Sequence, residues 1–287
     1  MSGTLYICST PIGNMEDITL RALRVFKEVD LIAAEDTRTA KKLLNHYEIN
    51  TPVTSYHEHN EKNKAPKIIE LLLEGRNIAL ISEAGTPGIS DPGYELIREA
   101  VNHGIKITVI PGPSALISGL VVSGLPMDRF AFEGFLPRKR SQRRQILENL
   151  KNEPRTLIFY ESPHRLEETL EDMKEIFNDR RAVLARELTK IYEEILRGNL
   201  GELLAAVREK GARGEYVLVV EGAKEQDQTG EIEEWQFLGV KEHVKLLVKK
   251  GYTKAEAVKE AARLRGLPKG DVYKYVTEDE LNEENSN

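Results

Sequence analysis

Short apolar, β-rich runs alternate with amphipathic stretches from the start of this chain: TLYICS, then ITLRALRVFKEV, then DLIAAE, then TRTAKKLLNHY, and so on to KITVI. Strands and helices in such succession leave few solutions, because each helix buries its apolar stripe against a sheet. The first half therefore predicts an α/β domain. A helix over 17–29 places Ile18, Leu20, Leu23, Val25 and Phe26 on a core-facing stripe. A further helix begins at Ser114, and its small and apolar residues, ALISGLVVSG, predict burial against the sheet. The pattern breaks at GLPMD (124–128). A second α/β unit follows, with AFEGF, RTLIFYES, RAVLARE, EEILRG and YVLVVEG as strands and helices near 142–150, 164–177 and 200–210. The hairpin-like spacing of RAVLARELTKIYEEILRG predicts a mixed sheet.

The expected organisation is an N-terminal α/β domain over 1–124, a second α/β domain over 125–222, a linker over 223–236 and a helical end-domain with an acidic tail over 237–287. The linker rests on the polar composition of AKEQDQTG. In the end-domain, Thr253 and Glu256 form a capping box, Gly266 sits where a helix-terminating glycine belongs, and Pro268 opens a short helix bearing Val272, Tyr273 and Tyr275. Two helices across a tight turn make a helix-turn-helix-like unit. The 287 residues, 40% of them hydrophobic, suffice for two cores.

Net charge is −6, but its distribution is uneven: residues 239–276 carry ten Lys/Arg against four Asp/Glu, and 277–287 carry five carboxylates. The remaining body is acidic, which excludes a general polyanion binder. A single cysteine, Cys8, excludes an internal disulfide and a multi-cysteine metal site, and in TLYICS it reads as a small core residue. The six histidines show no metal-binding spacing, and His57 and His59 read as solvated loop, so no metal is expected. No stretch approaches the ~18 apolar residues a membrane span requires, and no basic segment with a long apolar run opens the chain. A soluble, cytoplasmic protein without a membrane partner is expected.

Two loops carry the first functional signal. Glu83 to Gly93, EAGTPGISDPG, follows the apolar run NIALIS, and Pro111-Gly112-Pro113-Ser114 follows KITVI. Open α/β sheets bind ligands beyond the carboxyl ends of their strands, and parallel neighbours would bring these two turns together. An ordinary strand-to-helix turn is the alternative. Proline offers only a carbonyl, so such loops suit a cation or an amine-bearing ligand better than a phosphate. There is no G-x-G-x-x-G after the first strand and no G-x-x-x-x-G-K-[ST] anywhere.

Five further stretches carry chemistry. STPIGNMEDIT turns Thr10, Pro11, Gly13 and Asn14 toward the same sheet edge, and AAEDTR sets Glu35, Asp36 and Arg38 at a strand end, either lining the crevice or paired among themselves. IFYESPHR delivers Tyr160, Glu161, Ser162, His164 and Arg165 together; Ser162 as a helix cap with Pro163 in the first turn accounts for two of its residues. ARELTKIYEE brings Arg186, Glu187, Lys190, Tyr192 and Glu193 to another strand exit, with a solvated hairpin as the plain alternative. RKRSQRR (138–144), including Arg138 and Lys139, is a basic ridge on an acidic body and reads as a phosphate-contact surface.

Taken together, STPIGNMEDITLRA, AAEDTR, SEAGTPGISDPG, VIPGPSA, EGFLPRK, IFYESPHR and RELTKIYEE resemble, in order and spacing, the ribosomal RNA small subunit methyltransferase I family within the tetrapyrrole-methylase fold. The resemblance implies two α/β domains of that type with a cofactor cleft between them, plus a small helical helix-turn-helix-like domain. It implies methyl transfer from S-adenosylmethionine to the ribose 2′-oxygen of a cytidine in the decoding region of bacterial 16S ribosomal RNA, by a homodimer acting on the RNA or the ribosomal subunit. By this analogy Gly85, Thr86, Pro87, Ile89, Ser114 and Ala115 contact the cofactor, flanked by Pro11, Tyr160 and Tyr216. His164, Glu187 or Lys190 serves as the base. Arg38, Arg165 and Arg186 hold phosphates, and Glu35, Asp36, Arg138 and Lys139 complete the substrate surface. Tetrapyrrole methylases usually open with a loop close to G-x-G-P-G-D. Here Ser9-Thr10-Pro11-Ile12-Gly13-Asn14 stands instead, which favours the RNA branch over a small tetrapyrrole-like substrate. A non-catalytic RNA-binding module on the same fold is the remaining alternative.

Overall fold

The computed structural model describes residues 2–224 and 238–274. Residues up to Ala223 form one compact unit and those from Lys224 a second. The first unit contains two five-stranded sheets.

The first sheet is built from β1 (Thr4–Cys8), β2 (Leu31–Ala34), β3 (Val53–Ser55), β4 (Ile78–Ile81) and β5 (Lys106–Ile110), all parallel, in the order β3-β2-β4-β1-β5. Its two faces are covered by different helices. Ala22, Val25 and Phe26 of α1 (Leu20–Glu28) join Ala40, Leu43 and Leu44 of α2 (Thr37–His46) in one core. Ala65, Ile68, Ile69 and Leu72 of α3 (Glu61–Leu73) join Leu96 and Ala100 of α4 (Tyr94–Asn102) in another. Helices on both faces explain why every residue of β4 is apolar and buried. Cys8 lies in the first of these cores, and burial pushes its thiol up to about 12.

Two local expectations change. The strands before the two proline-rich turns, β4 and β5, are not neighbours: β1 pairs with both and lies between them. The first helix starts at Leu20, capped by the Thr19 side chain on the Ala22 amide at 3.1 Å, so Leu20 is 86% exposed and stands outside the core stripe.

The second sheet comprises β6 (Phe130–Phe135), β7 (Thr156–Glu161), β8 (Arg181–Arg186), β9 (Glu194–Asn199) and β10 (Tyr216–Val220), in the order β6-β7-β10-β8-β9. It is mixed, as the hairpin spacing predicts: β6 and β7 are parallel and the other pairs antiparallel. Helices α6 (Arg140–Leu150), α7 (Leu166–Phe177) and α8 (Leu200–Lys210) contribute to the core on one face. The other face receives α5 (Ala115–Ser123), the helix that follows β5 of the first sheet. Gly119 makes that docking possible, since a Cβ there would meet Val217 Cγ1 at 2.7 Å. Thus α5 joins the two sheets.

The basic ridge is largely structural. Arg143 of α6 is buried and donates to the buried Asp172 of α7 at 2.8 Å, while Arg140 and Arg144 reach the same carboxylate at 2.9 and 3.0 Å. Three guanidiniums hold one carboxylate, which takes the buried Arg143 out of any phosphate surface and gives Arg140 and Arg144 an internal partner. Arg138 and Lys139 remain exposed.

In the second unit, α9 (Val240–Lys249) and α10 (Lys254–Arg265) share a small core of Val244, Leu247, Ala257, Val258, Ala261, Ala262 and Val272. The Thr253–Glu256 capping box forms, Gly266 ends α10 with φ 62°, and a short helical stretch follows over 269–274. Most of the expected linker, Tyr275 and the acidic tail lie outside the described residues.

Candidate functional site

Three loops leave the carboxyl ends of β4, β1 and β5, with the β1 loop in the middle. Thr10 and Gly85 exchange two backbone hydrogen bonds, at 2.9 and 3.1 Å, and the Ser9 amide donates to the Ile110 carbonyl at 3.2 Å. The Ser9 and Thr86 hydroxyls lie 2.8 Å apart. A Cβ on Gly112 would come within 3.0 Å of Ser9 Cβ, so the third loop also presses on the first. The loops therefore meet through Ser9 and Thr10, two buried polar residues. Gly85, with φ 76°, takes a backbone conformation that glycine adopts without strain.

The second sheet closes on these loops at three points. The Tyr160 hydroxyl accepts from the Leu116 amide at 3.1 Å, in the first turn of α5. Phe132 and Phe135 pack edge-on against the Tyr160 ring, at centroid distances of 4.9 and 5.5 Å. A Cβ on Gly134 would meet Ser90 Oγ at 3.3 Å, and one on Gly13 would meet Lys190 Cγ at 2.5 Å. Pro11, Thr86, Ser114, Ala115 and Tyr160 are half-buried, Gly85 and Pro87 buried, and Ile89 46% exposed.

Tyr216 is a correction. Its register partner on β7 is Glu161, whereas Tyr160 pairs with Val217. Neighbouring strand residues alternate faces, so Tyr216 points into the α7–α8 core and its hydroxyl accepts from the Arg213 amide at 3.1 Å.

The β8–β9 hairpin carries a charged knot. Lys190 Nζ donates to Glu187 Oε1 at 3.0 Å and to Glu215 Oε2 at 2.7 Å, while the Glu215 amide donates to Glu187 Oε1 at 2.9 Å. Burial alone disfavours the Lys190 ammonium, but Glu215 and Glu187 outweigh it and hold its pKa above the ordinary value. Burial likewise pushes Glu187 up, yet the Glu215 amide and Lys190 together hold its carboxyl below the ordinary value. Lys190 as a neutral base is corrected by this pairing; it is a held ammonium.

The other polar clusters sort into internal partners and open groups. Asp36 caps α2 on the Arg38 amide at 2.7 Å and pairs with the Arg38 guanidinium at 2.9 Å, so these two satisfy each other rather than wait for substrate. Arg165 donates to the Leu136 and Pro137 carbonyls and lies 3.6 Å from the buried Glu161. Arg186 pairs with Glu194 at 3.2 Å. Both arginines thus have partners within the chain, which leaves them less open to a phosphate than their place in the sequence suggests. Ser162 does not cap a helix, because α7 starts at Leu166 with Arg165 at its N-cap. His164, in the intervening turn, is exposed.

Glu35 accepts from the Glu83 amide at 3.4 Å, and Asp91 lies in the same acidic corner. Burial, then repulsion from Glu35, pushes the Asp91 carboxyl up to about 7. Burial likewise raises Glu35, against the bond from Glu83. Asp91, Ser9 and Leu116 are site residues that sequence reasoning passed over. Asp91 sat in plain view within the glycine-proline loop, while the role of Leu116 depends on a residue 44 positions away.

Among the described residues no group of three or more His, Cys, Asp or Glu side chains is arranged to hold a metal, and no helix is long and apolar enough to cross a membrane. The donor set suits a ligand with an amine and hydroxyls: proline carbonyls, the Ser9 and Thr86 hydroxyls, an apolar wall of Ile12 and Leu116, and a partly ionised acidic corner.

Residues 4–204 match the family model for tetrapyrrole (corrin/porphyrin) methylases. Solved structures of a uroporphyrin-III-C-methyltransferase from Thermus thermophilus (21% identity, TM-score 0.54, covering 76% of this chain and 94% of that one) and of a diphthine synthase (16%, 0.59, 77% and 90%) share the fold. Two sheets joined through α5, with three loops meeting at the carboxyl edge of the first, go with that match: the chain is a methyltransferase of the tetrapyrrole-methylase class. Among its relatives, the ribosomal RNA small subunit methyltransferase I of Halalkalibacterium halodurans is 52% identical over 94% of this chain and 93% of its own length. The proteins of that name from Bacillus subtilis and Escherichia coli O157:H7 are 48% and 49% identical, over 94% and 96% of this chain and 93% and 95% of their own lengths. The chain belongs to the ribosomal RNA small subunit methyltransferase I family. Its cofactor is S-adenosylmethionine.

Proposed function

We propose that this protein methylates small-subunit (16S) ribosomal RNA, at the ribose 2′-oxygen of a cytidine in the decoding region. The observation that carries this reading is the contact of Lys190 on Gly13, which sets a charged second-domain hairpin directly on the loops proposed to hold the methyl donor. It occurs in a chain 52% identical to a ribosomal RNA small subunit methyltransferase I.

When bound, S-adenosylmethionine supplies an electrophilic methyl group on a sulfonium. The chain's part is to place that group and the hydroxyl in line, a positioning effect that reaches about 7–11 kcal/mol in favourable cases. Gly85, Thr86, Pro87, Ile89, Ser114 and Ala115 hold the donor, with Pro11 and Tyr160 at its flanks. Asp91, buried beside Glu35, is held only partly ionised near neutral pH, so it sets less than a full negative charge beside the donor loop and limits ground-state stabilisation of the sulfonium.

The 2′-hydroxyl loses its proton as the O–CH3 bond forms. His164 and Glu187 are the groups able to accept it, and a positioned base typically contributes about 10²–10⁴ in rate. Lys190, held as an ammonium, stabilises the developing negative charge on oxygen. Arg138 and Lys139, and the basic helices of the second unit, supply sequence-independent attraction to RNA.

The working form is a homodimer. Support comes from α5, which is apolar all round: one face packs on the second sheet, while Ile117 and Val121 are 45% and 59% exposed, and Val109 on edge strand β5 is 58% exposed. A helix apolar on all sides belongs in an interior, and a second copy would provide one. Sedimentation of a monomer at micromolar concentration would refute this.

Mass mapping of 16S ribosomal RNA from cells with and without the gene tests the main reading. A 2′-O-methylcytidine in the decoding region is expected to vanish with the gene and return with the wild-type copy. An unchanged methylation map would refute the assignment.

A further inference from the structure

We propose that the tip of the β8–β9 hairpin, Ile191 with Tyr192, is the platform on which an unstacked nucleobase of the RNA substrate rests beside the reacting ribose. This inference relies on the RNA-methyltransferase reading above and adds a recognition element to it. Ile191 is 94% exposed and Tyr192 74% exposed, two large apolar side chains side by side in solvent.

The tip is held rigidly. The Lys190 amide donates to the Glu187 carbonyl at 2.9 Å, the Glu193 amide to the Lys190 carbonyl at 3.1 Å, and the Thr189 amide to the Glu193 carboxylate at 2.7 Å. Glu187 and Thr189 take left-handed backbone, with φ of 50° and 66°. That conformation is unfavourable for residues other than glycine, above all for β-branched threonine. A turn whose only task was to reverse the chain would use Gly or Asn there and polar residues at its apex. This one fixes an uncommon backbone and presents an isoleucine and a tyrosine.

Charge and position select the occupant. Lys190 is shared by Glu187 and Glu215, and Arg186 pairs with Glu194, so the cations next to the tip are already partnered and phosphate is a poor ligand for it. A flat aromatic face with an aliphatic neighbour suits the π-face of a base. Lys190 packs on Gly13 of the β1 loop, which places the tip at the loop cluster where a ribose must arrive. A nucleotide that presents its 2′-hydroxyl there must leave its stack, and Tyr192 replaces the lost stacking partner.

The test uses the full chain. Tyr192→Ala is expected to raise KM for purified small ribosomal subunits by about 10-fold or more, the scale of one lost base–aromatic stack. Affinity for S-adenosylmethionine, measured by calorimetry, should stay at the wild-type value, and Tyr192→Phe should restore KM. In a Trp235→Phe background, Tyr192→Trp should lose indole fluorescence when RNA is added. An unchanged KM in the Ile191→Ala/Tyr192→Ala double variant overturns the proposal. So does a KM defect that coincides with a smaller sedimenting mass, since the tip would then be a contact between copies. Wild-type protein that binds RNA without methylating it refutes the functional reading instead, and the fluorescence experiment still decides where the base sits.

Discussion

The Tyr160 hydroxyl accepts the Leu116 amide at 3.1 Å, so a residue at the end of β7 in the second sheet fixes the first turn of the helix that leaves the first sheet. The amide is one of the four that a helix N-terminus leaves without an intrahelical partner. This bond, together with Gly119 against Val217, sets the position of Ser114 and Ala115 relative to the second domain.

Tyr160→Phe keeps the ring between Phe132 and Phe135 but removes the acceptor. A loss of about 0.5–1.5 kcal/mol in stability is expected, with a several-fold weaker affinity for S-adenosylmethionine as the α5 turn loosens. Urea unfolding and calorimetry measure the two effects; unchanged affinity would separate the bond from the cofactor site.

Gly85→Ala meets no serious collision, since its nearest neighbours would be Ile12 Cγ2 at 3.6 Å and the Pro113 carbonyl oxygen at 3.9 Å. The penalty lies in its φ of 76°, about 1–2 kcal/mol for a residue with a Cβ. If the loop relaxes to avoid it, the Thr10 bridge is disturbed. The expected outcome is a folded protein with S-adenosylmethionine binding weakened at least 10-fold in calorimetry.

Asp172→Ala strips Arg143, Arg140 and Arg144 of their shared partner. The buried Arg143 then keeps only the exposed Glu168 at 3.3 Å, and the first unit is expected to lose at most about 3–5 kcal/mol in urea unfolding. A variant with wild-type stability but weakened RNA binding would restore these arginines as a phosphate surface.

The Asp91 carboxyl rises from 3.8 to about 7 in the folded protein, so the folded state binds more protons than the unfolded one between those values. The contribution of Asp91 to stability then falls as pH rises from about 4 to about 7 and is lost above the folded value. Asp91→Asn should remove that part of the slope and stabilise the protein at pH 8 relative to wild type. Unfolding free energies measured across this range test the sign.

Deleting residues 237–287 removes the basic helices. Weaker RNA binding with a shallower dependence on salt is expected, because fewer counterions are released, while S-adenosylmethionine binding survives. An unchanged salt slope would exclude these helices from the RNA surface.

Much of the fold is local in origin and legible in the chain. The apolar runs of β1, β2 and β5 to β10, the capping box at Thr253 and the left-handed Gly266 each depend on residues within a turn of one another. The glycine-proline loops and the Ser9–Asn14 turn were legible for the same reason, and the structure brings them together at Ser9 and Thr10. Strand order did not declare itself: β1 lies between β4 and β5 because pairing is settled by the crossover helices and the two buried faces, which no neighbouring residues encode.

Side-chain commitments were equally out of reach. Which arginines are open to substrate depends on carboxylates supplied by other elements: Asp172 occupies three of them and Glu194 a fourth. Tyr160 and Tyr216 look alike as aromatic residues at strand ends, yet the pleat sends one toward α5 and the other into the opposite core. The chain alone sufficed for most of the strands and helices and for the capping box at Thr253, since these follow from backbone preference and short-range periodicity, while the start of α1 and the cap of α7 did not follow from it. Which charges are already paired, and which way each strand residue faces, is settled by the packing, because the partners sit on other elements: Asp172 lies 29 residues from Arg143, Glu215 lies 25 from Lys190, and even Glu194 reaches Arg186 only across the hairpin.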